Sequence, residues 1–151
     1  MKIIKNARLL DGNKVDIGIT GSEISQISEE IRGDIYFDAN GALVVPGFVD
    51  LHTHLREPGR EDSETVASGS MAAVRGGYTA ISPMANTFPV ADTAGVVEQV
   101  FSLGELVGLC DVFPIGAVTE GLRGEKLAEI VAMSASKAKV RIFSDDGKCV
   151  F

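Results

Sequence analysis

The chain has 151 residues, 45% hydrophobic and 23% charged, which excludes a disordered segment and allows one ordinary domain with a real core. Its net charge of -7 and pI near 4.8 argue against nucleic acid or an anionic membrane as partner, although one arginine in a cleft can still take an anionic small molecule. No apolar run reaches the roughly 18 residues of a membrane span, the N-terminus lacks a signal peptide's features, and two cysteines outside any Cys-x-x-Cys pair read as reduced thiols of a cytoplasmic protein.

Residues 1–45 predict small β structure. Ile3-Ile4 and Leu9-Leu10 lie in a first strand, and Asp11-Gly12-Asn13 makes a turn. Val15, Ile17 and Ile19 alternate with polar or small residues, the period of a half-buried strand. Gly21-Ser22 turns into Glu23–Ile27, Ile35 and Phe37 alternate in a further strand, and Asn40-Gly41 leads into Leu43–Val45. A meander of this size buries little alone. It is expected to be completed by another part of a longer chain or to pack on the residues C-terminal to it.

From Pro46 the rhythm becomes strand, helix, strand, helix. A short buried strand, Phe48–Leu51, carries His52 and His54 at its C-terminal end. Asp62 or Ser63 caps a helix with Val66, Ala67, Ser70, Ala73 and Val74 inward, and Gly76-Gly77 ends it. Tyr78–Ser82 is the second strand, and Pro83–Thr87 is its loop. Asp92 or Thr93 opens a second helix with Val96, Val97, Val100, Phe101 and Gly104 on one face. Val112–Val118 is a third strand, and a third helix from Glu125 turns Leu127, Ile130 and Val131 inward. Val140–Phe143 is a fourth strand, ending in Ser144-Asp145-Asp146-Gly147. A closed (β/α)8 barrel takes about 250 residues, so this stretch reads as the front half of one. Two open sheet edges and an uncovered inner face predict homo-oligomeric association or poor solubility.

The chemistry centres on His52 and His54, the only histidines. Residues i and i+2 of a strand share a side, so both imidazoles can reach one metal ion. A catalytic Zn²⁺ needs about three protein ligands. Asp145 and Asp146 are candidates for the third, of which one is expected to face the barrel axis; Asp-Gly is also a common turn. Asp50 is another candidate, or a supporting partner of the histidines. Arg56, with its bidentate fork, and Asn86, with its amide, are candidates for binding substrate. Gly76-Gly77 fits no phosphate-loop pattern.

The run Pro46-Gly-Phe-Val-Asp-Leu-His-Thr-His-Leu-Arg-Glu-Pro-Gly59 resembles the first barrel strand of the amidohydrolase superfamily, specifically the class I dihydroorotases. Ala72–Thr79, Pro83–Thr87 and Phe143–Gly147 match in order, and residues 1–45 are similar to the family's small β-sandwich domain. The resemblance implies an α/β fold, with 46–151 the first half of an amidohydrolase barrel. It implies a zinc-dependent cyclic amide hydrolase that interconverts dihydroorotate and N-carbamoyl-L-aspartate in pyrimidine biosynthesis. It also implies His52, His54 and Asp146 as metal ligands, and Arg56 and Asn86 as holders of the substrate carboxylate. The family's further metal-binding histidines and its general base lie on later strands. At most one metal, an incomplete site and little activity are therefore expected of this chain, as an N-terminal portion. Allantoinases or dihydropyrimidinases, which use a lysine in place of Asp146, are the enzymatic alternative. A non-catalytic dihydroorotase-like protein is the other.

Overall fold

A computed structural model describes residues 1–150. The chain divides into two compact units, Met1–Pro46 and a second that starts at Gly47.

The first unit is one mixed four-stranded sheet. Strands β1 (Lys2–Arg8), β2 (Lys14–Thr20), β3 (Glu23–Ser28) and β4 (Ile35–Asp38) lie in the order β3-β2-β1-β4. β2 pairs antiparallel with β1 and β3, and β4 runs parallel to β1. Ala7, Val15, Ile17 and Ala39 form its core. The alternation of β2 predicts an outward Asp16, yet Asp16 is only 4% exposed. Its Oδ2 accepts from Lys5 Nζ at 2.5 Å and the Ile31 amide at 2.9 Å, and its Oδ1 from the Asn6 amide at 3.1 Å. These donors, Lys5 foremost, hold the carboxyl below the usual carboxylate range. β3 and β4 leave Ile24, Ile27, Ile35, Tyr36 and Phe37 exposed.

The second unit is built on a parallel sheet with the order β5-β6-β7: β5 (Phe48–Thr53), β6 (Tyr78–Pro83) and β7 (Asp111–Val112). Helices α1 (Val66–Arg75), α2 (Ala94–Val107) and α3 (Ile130–Ala135) connect and flank it. The third strand is shorter than its apolar run predicts. The fourth is a single parallel bridge, Gly116 to Phe143, flanked by Gly116 N to Ile142 O at 3.1 Å and Ser144 N to Gly116 O at 2.9 Å. Between them the backbone of residues 113–116 still bonds alternately to β6, through Phe113 N to Ile81 O and Ile115 N to Pro83 O. The ladder thus continues, at a lower density of bonds, to the segment that ends in Asp145-Asp146.

Leu55, Val66, Ile81, Val100 and Val112 form one core cluster of this unit, each fully buried aliphatic side chain contributing roughly 1.5–3 kcal/mol. Small residues bring the helices in. A Cβ at Gly69 would stand 2.4 Å from Leu55 Cδ2, and one at Gly104 2.5 Å from Val112 Cβ. This corrects the face predicted for α1: Val66, Gly69 and Ser70 are buried, while Ala67 and Val74 are exposed. The helix also starts later than Asp62 or Ser63. Thr65 is its cap, in a reciprocal box with Ser68. In the third helical region Leu127 is 65% and Val131 81% exposed, against the inward position predicted for them. A 3₁₀ turn at Glu120–Leu122 and a bridge from Thr119 to Leu127 delay the helix to Ile130, which turns Ala128 and Met133 to the core instead. β5 is not buried either: Phe48, Val49 and Leu51 are each more than half exposed, because β5 is an edge strand.

Candidate metal centre

β5 pairs with β6 so that both strands end on the same side, as parallel strands must. Met84 N donates to Thr53 O at 2.8 Å, which carries the pairing into the loop after β6. The chain then turns at Pro58-Gly59, where Phe88 N donates to Pro58 O at 3.0 Å. Gly59 has φ +101°, and a Cβ there would lie 2.1 Å from Phe88 O, so only glycine allows this approach. Glu57 ties the same loop to α1 by accepting from the Val66 amide at 2.7 Å. That contact fills one of the open donors at the helix N-terminus. Sequence reasoning gives Glu57 no role; a carboxylate just ahead of a helix start is the available signal.

His52, His54 and Asp146 come together at these strand ends. One ligand atom from each lies within 4.8 Å of the others. The two imidazoles have ring centroids 5.2 Å apart, and His52 Nε2 is 3.2 Å from Asp146 Oδ1. Asn86 joins them: its Nδ2 donates to Asp146 Oδ2 at 2.8 Å, and its Oδ1 is 3.1 Å from His54 Nδ1. Asp146 reaches the group from a left-handed backbone, φ +57°, a conformation that aspartate tolerates better than most residues.

The neighbouring carboxylate is used differently. Asp145 is 3% exposed. Its Oδ1 accepts from the amides of Val118 at 2.8 Å and Thr119 at 3.0 Å, and its Oδ2 from the Thr119 hydroxyl. Thr119 Oγ1 in turn accepts from Gly124 N at 2.9 Å. Of the two aspartates left open by the sequence, Asp146 is at the histidines and Asp145 is not. Nothing in the sequence marks Thr119 as its partner.

Asp50 is not one of the three clustered ligand groups. It accepts from the His52 amide at 3.0 Å and lines a cleft of about 290 Å³ together with His54, Glu64, Tyr78 and Ile81. Arg56 is half-buried, with φ +61°, and its guanidinium makes no ion pair among the described residues. Gly76-Gly77 ends α1, as predicted, with Gly77 at φ +84°.

Residues 41–150 match the family model described as dihydro-orotase-like. The chain belongs to the dihydro-orotase-like family. All of the strand–helix elements, with His52, His54, Asn86 and Asp146, fall inside the matched span. Among curated proteins this dihydro-orotase-like chain is 57% identical to the dihydroorotase of Streptomyces coelicolor, over 98% of its own length and 35% of the relative's. It is 51% identical to that of Mycobacterium tuberculosis, over 93% of its length and 33% of the relative's. The chain thus spans about a third of the length of the curated relatives it matches. Among solved structures it resembles the L-hydantoinase (dihydropyrimidinase) of Arthrobacter aurescens, with TM-score 0.66 and 26% identity over 80% of this chain and 29% of that one. Among the described residues no helix is long and apolar enough to cross a membrane.

Proposed function

We propose that this chain supplies the first corner of a dihydroorotase active site, with His52, His54 and Asp146 as ligands of one zinc ion. The reaction served is the reversible hydrolysis of dihydroorotate to N-carbamoyl-L-aspartate, in pyrimidine biosynthesis. What carries the reading is the meeting of three donor groups within 4.8 Å, drawn from distant strand ends of a chain in the dihydro-orotase-like family. Two imidazoles and a carboxylate, with coordination left open, suit catalytic Zn²⁺. An ion held there would polarise a ring carbonyl and supply hydroxide near neutral pH.

Two side chains near the strand ends take the remaining roles. Arg56, unpaired among the described ion pairs, offers its fork to the substrate carboxylate. Asn86 keeps one amide N–H and one oxygen lone pair beyond its present contacts, enough to meet the same group. No general base is assigned. With two histidines in the chain, the site offers ligands for one metal at most, and the turnover expected of these residues alone is low or nil. We read 46–151 as the first strands of a (β/α)8 barrel and 1–45 as part of a small β-sandwich domain, which the exposed Ile24, Ile27 and Phe37 support. The setting is cytoplasmic, the partner a small molecule, and the open edge of β5 favours association between copies.

The second reading, a hydantoinase- or allantoinase-type hydrolase, draws on the likeness to L-hydantoinase. The 57% identity to a dihydroorotase and an aspartate rather than a lysine at position 146 favour the first. A zinc titration combined with an assay of dihydroorotate hydrolysis tests the proposal. One bound equivalent, lost in His52→Ala, with little turnover is expected. Robust turnover by the chain would overturn the incomplete site, and unaltered binding by His52→Ala would overturn the ligand assignment.

A further inference from the structure

We propose that Asn86 is the positioning residue of this centre: it fixes which nitrogen of His54 and which oxygen of Asp146 are offered to a cation. The inference rests on the reading of His52, His54 and Asp146 as ligands. To a residue so far given only to the substrate, it adds a task that precedes substrate.

Hydrogen-bond valence decides the atoms. An ionised carboxylate only accepts, so the Asn86 atom 2.8 Å from Asp146 Oδ2 must be the amide nitrogen. The other end of the same planar group is then the amide oxygen, 3.1 Å from His54 Nδ1. An amide oxygen also only accepts, so Nδ1 carries the proton and the lone pair of the neutral ring sits on Nε2. On the carboxylate, Oδ2 is taken by the amide. Oδ1, at 3.2 Å from His52 Nε2, is the oxygen turned to His52. One side chain therefore selects Nε2 of one ligand and Oδ1 of another, which a metal site needs from its supporting groups.

Asn86 is itself placed to do this. Met84 and Ala85 before it are 4% and 0% exposed, and Thr87 after it is 8% exposed. The Thr87 hydroxyl donates to Pro89 O at 2.8 Å, and the Phe88 amide to Pro58 O at 3.0 Å. The loop that carries the amide is thus tied on both sides before any ion arrives.

The test uses the 151-residue chain and two variants, Asn86→Leu, which removes both contacts, and Asn86→Asp, which keeps an acceptor for His54. Long-range ¹H–¹⁵N spectra of the metal-free proteins report the His54 tautomer, and Zn²⁺ affinity is read by competition with a chromophoric chelator. Circular dichroism confirms folding of both variants. We expect the Nδ1–H tautomer in the wild type and in Asn86→Asp, and its loss in Asn86→Leu. Zn²⁺ affinity should drop about 10- to 100-fold in Asn86→Leu, on the order found when such supporting groups are removed. A wild-type His54 protonated on Nε2, or an Asn86→Leu variant with unchanged tautomer and affinity, would overturn the proposal. Equal loss of the tautomer in both variants would also overturn it, in favour of a packing role. A wild type that shows the Nδ1–H tautomer yet binds no Zn²⁺ would refute the ligand reading beneath it, and the two failures are told apart.

Discussion

Asp145 and its surroundings hold every carboxylate contact inside the protein, with both oxygens committed to Val118 and Thr119 and 3% of the residue exposed. One residue later, Asp146 projects from a left-handed backbone to His52 and Asn86, with a quarter of its side chain open, and His52 beside it is 60% open. The first region is closed by backbone donors that no solvent or ligand can replace cheaply. The second is an array of side chains with capacity left over. Burying one carboxylate fixes the segment from which the other is offered, so a closed carboxylate and an available one stand on adjacent residues.

The largest effect that would break this contrast is on stability. Asp145→Ala leaves three buried donors without their acceptor and is expected to cost about 3 kcal/mol or more, read as a lower urea midpoint. A midpoint equal to that of the wild type would show that Asp145 is not the structural member. His52→Ala sharpens the other side: Zn²⁺ binding should weaken by more than about 100-fold, beyond the range for a supporting group. Its stability should stay within about 0.5 kcal/mol, because the side chain is largely in solvent. A large fall in stability would move His52 into the first class.

Glu57 lies between the two. Its bond to the Val66 amide both caps α1 and restrains the loop that carries Arg56, so Glu57→Ala, which removes the acceptor, is expected to cost about 1 kcal/mol in a thermal melt. No change would leave the cap to Thr65 alone.

The smallest effect concerns the first unit, where Asp16 repeats the closed pattern. Its folded pKa lies below the usual range because Lys5 and the Ile31 amide donate to it. The unfolded chain therefore binds more protons as the pH falls through the ordinary carboxylate range. The stabilisation is complete above that range and is lost on acidification below about pH 4. Asp16→Asn should flatten the acid limb of a plot of melting temperature against pH. An unchanged limb would place the dependence elsewhere.

These regions differ in how much of them the sequence discloses. His52 and His54 are legible because a period of two puts i and i+2 of an extended segment on one side, and β2 is legible from the same period in Val15, Ile17 and Ile19. The choice between Asp145 and Asp146 is not, since it depends on a backbone sign at position 146 and on donors at Val118 and Thr119, far away in sequence. The outward Leu127 and Val131 show the limit of apolar spacing when a 3₁₀ turn resets the phase of the helix. Gly69 shows another: a small residue can define the packed face that a count of large apolar residues misplaces. Asn86 stands out in the sequence for its amide, but its bridge between His54 and Asp146 is a tertiary fact.

The central claim is that Asp146, with His52 and His54, forms one cation site. Titration of the wild-type chain and Asp146→Ala with Co²⁺, followed by visible absorption, tests it most directly. One equivalent bound by the wild type and none by the folded variant is the predicted result. Equal binding by the two proteins would contradict it.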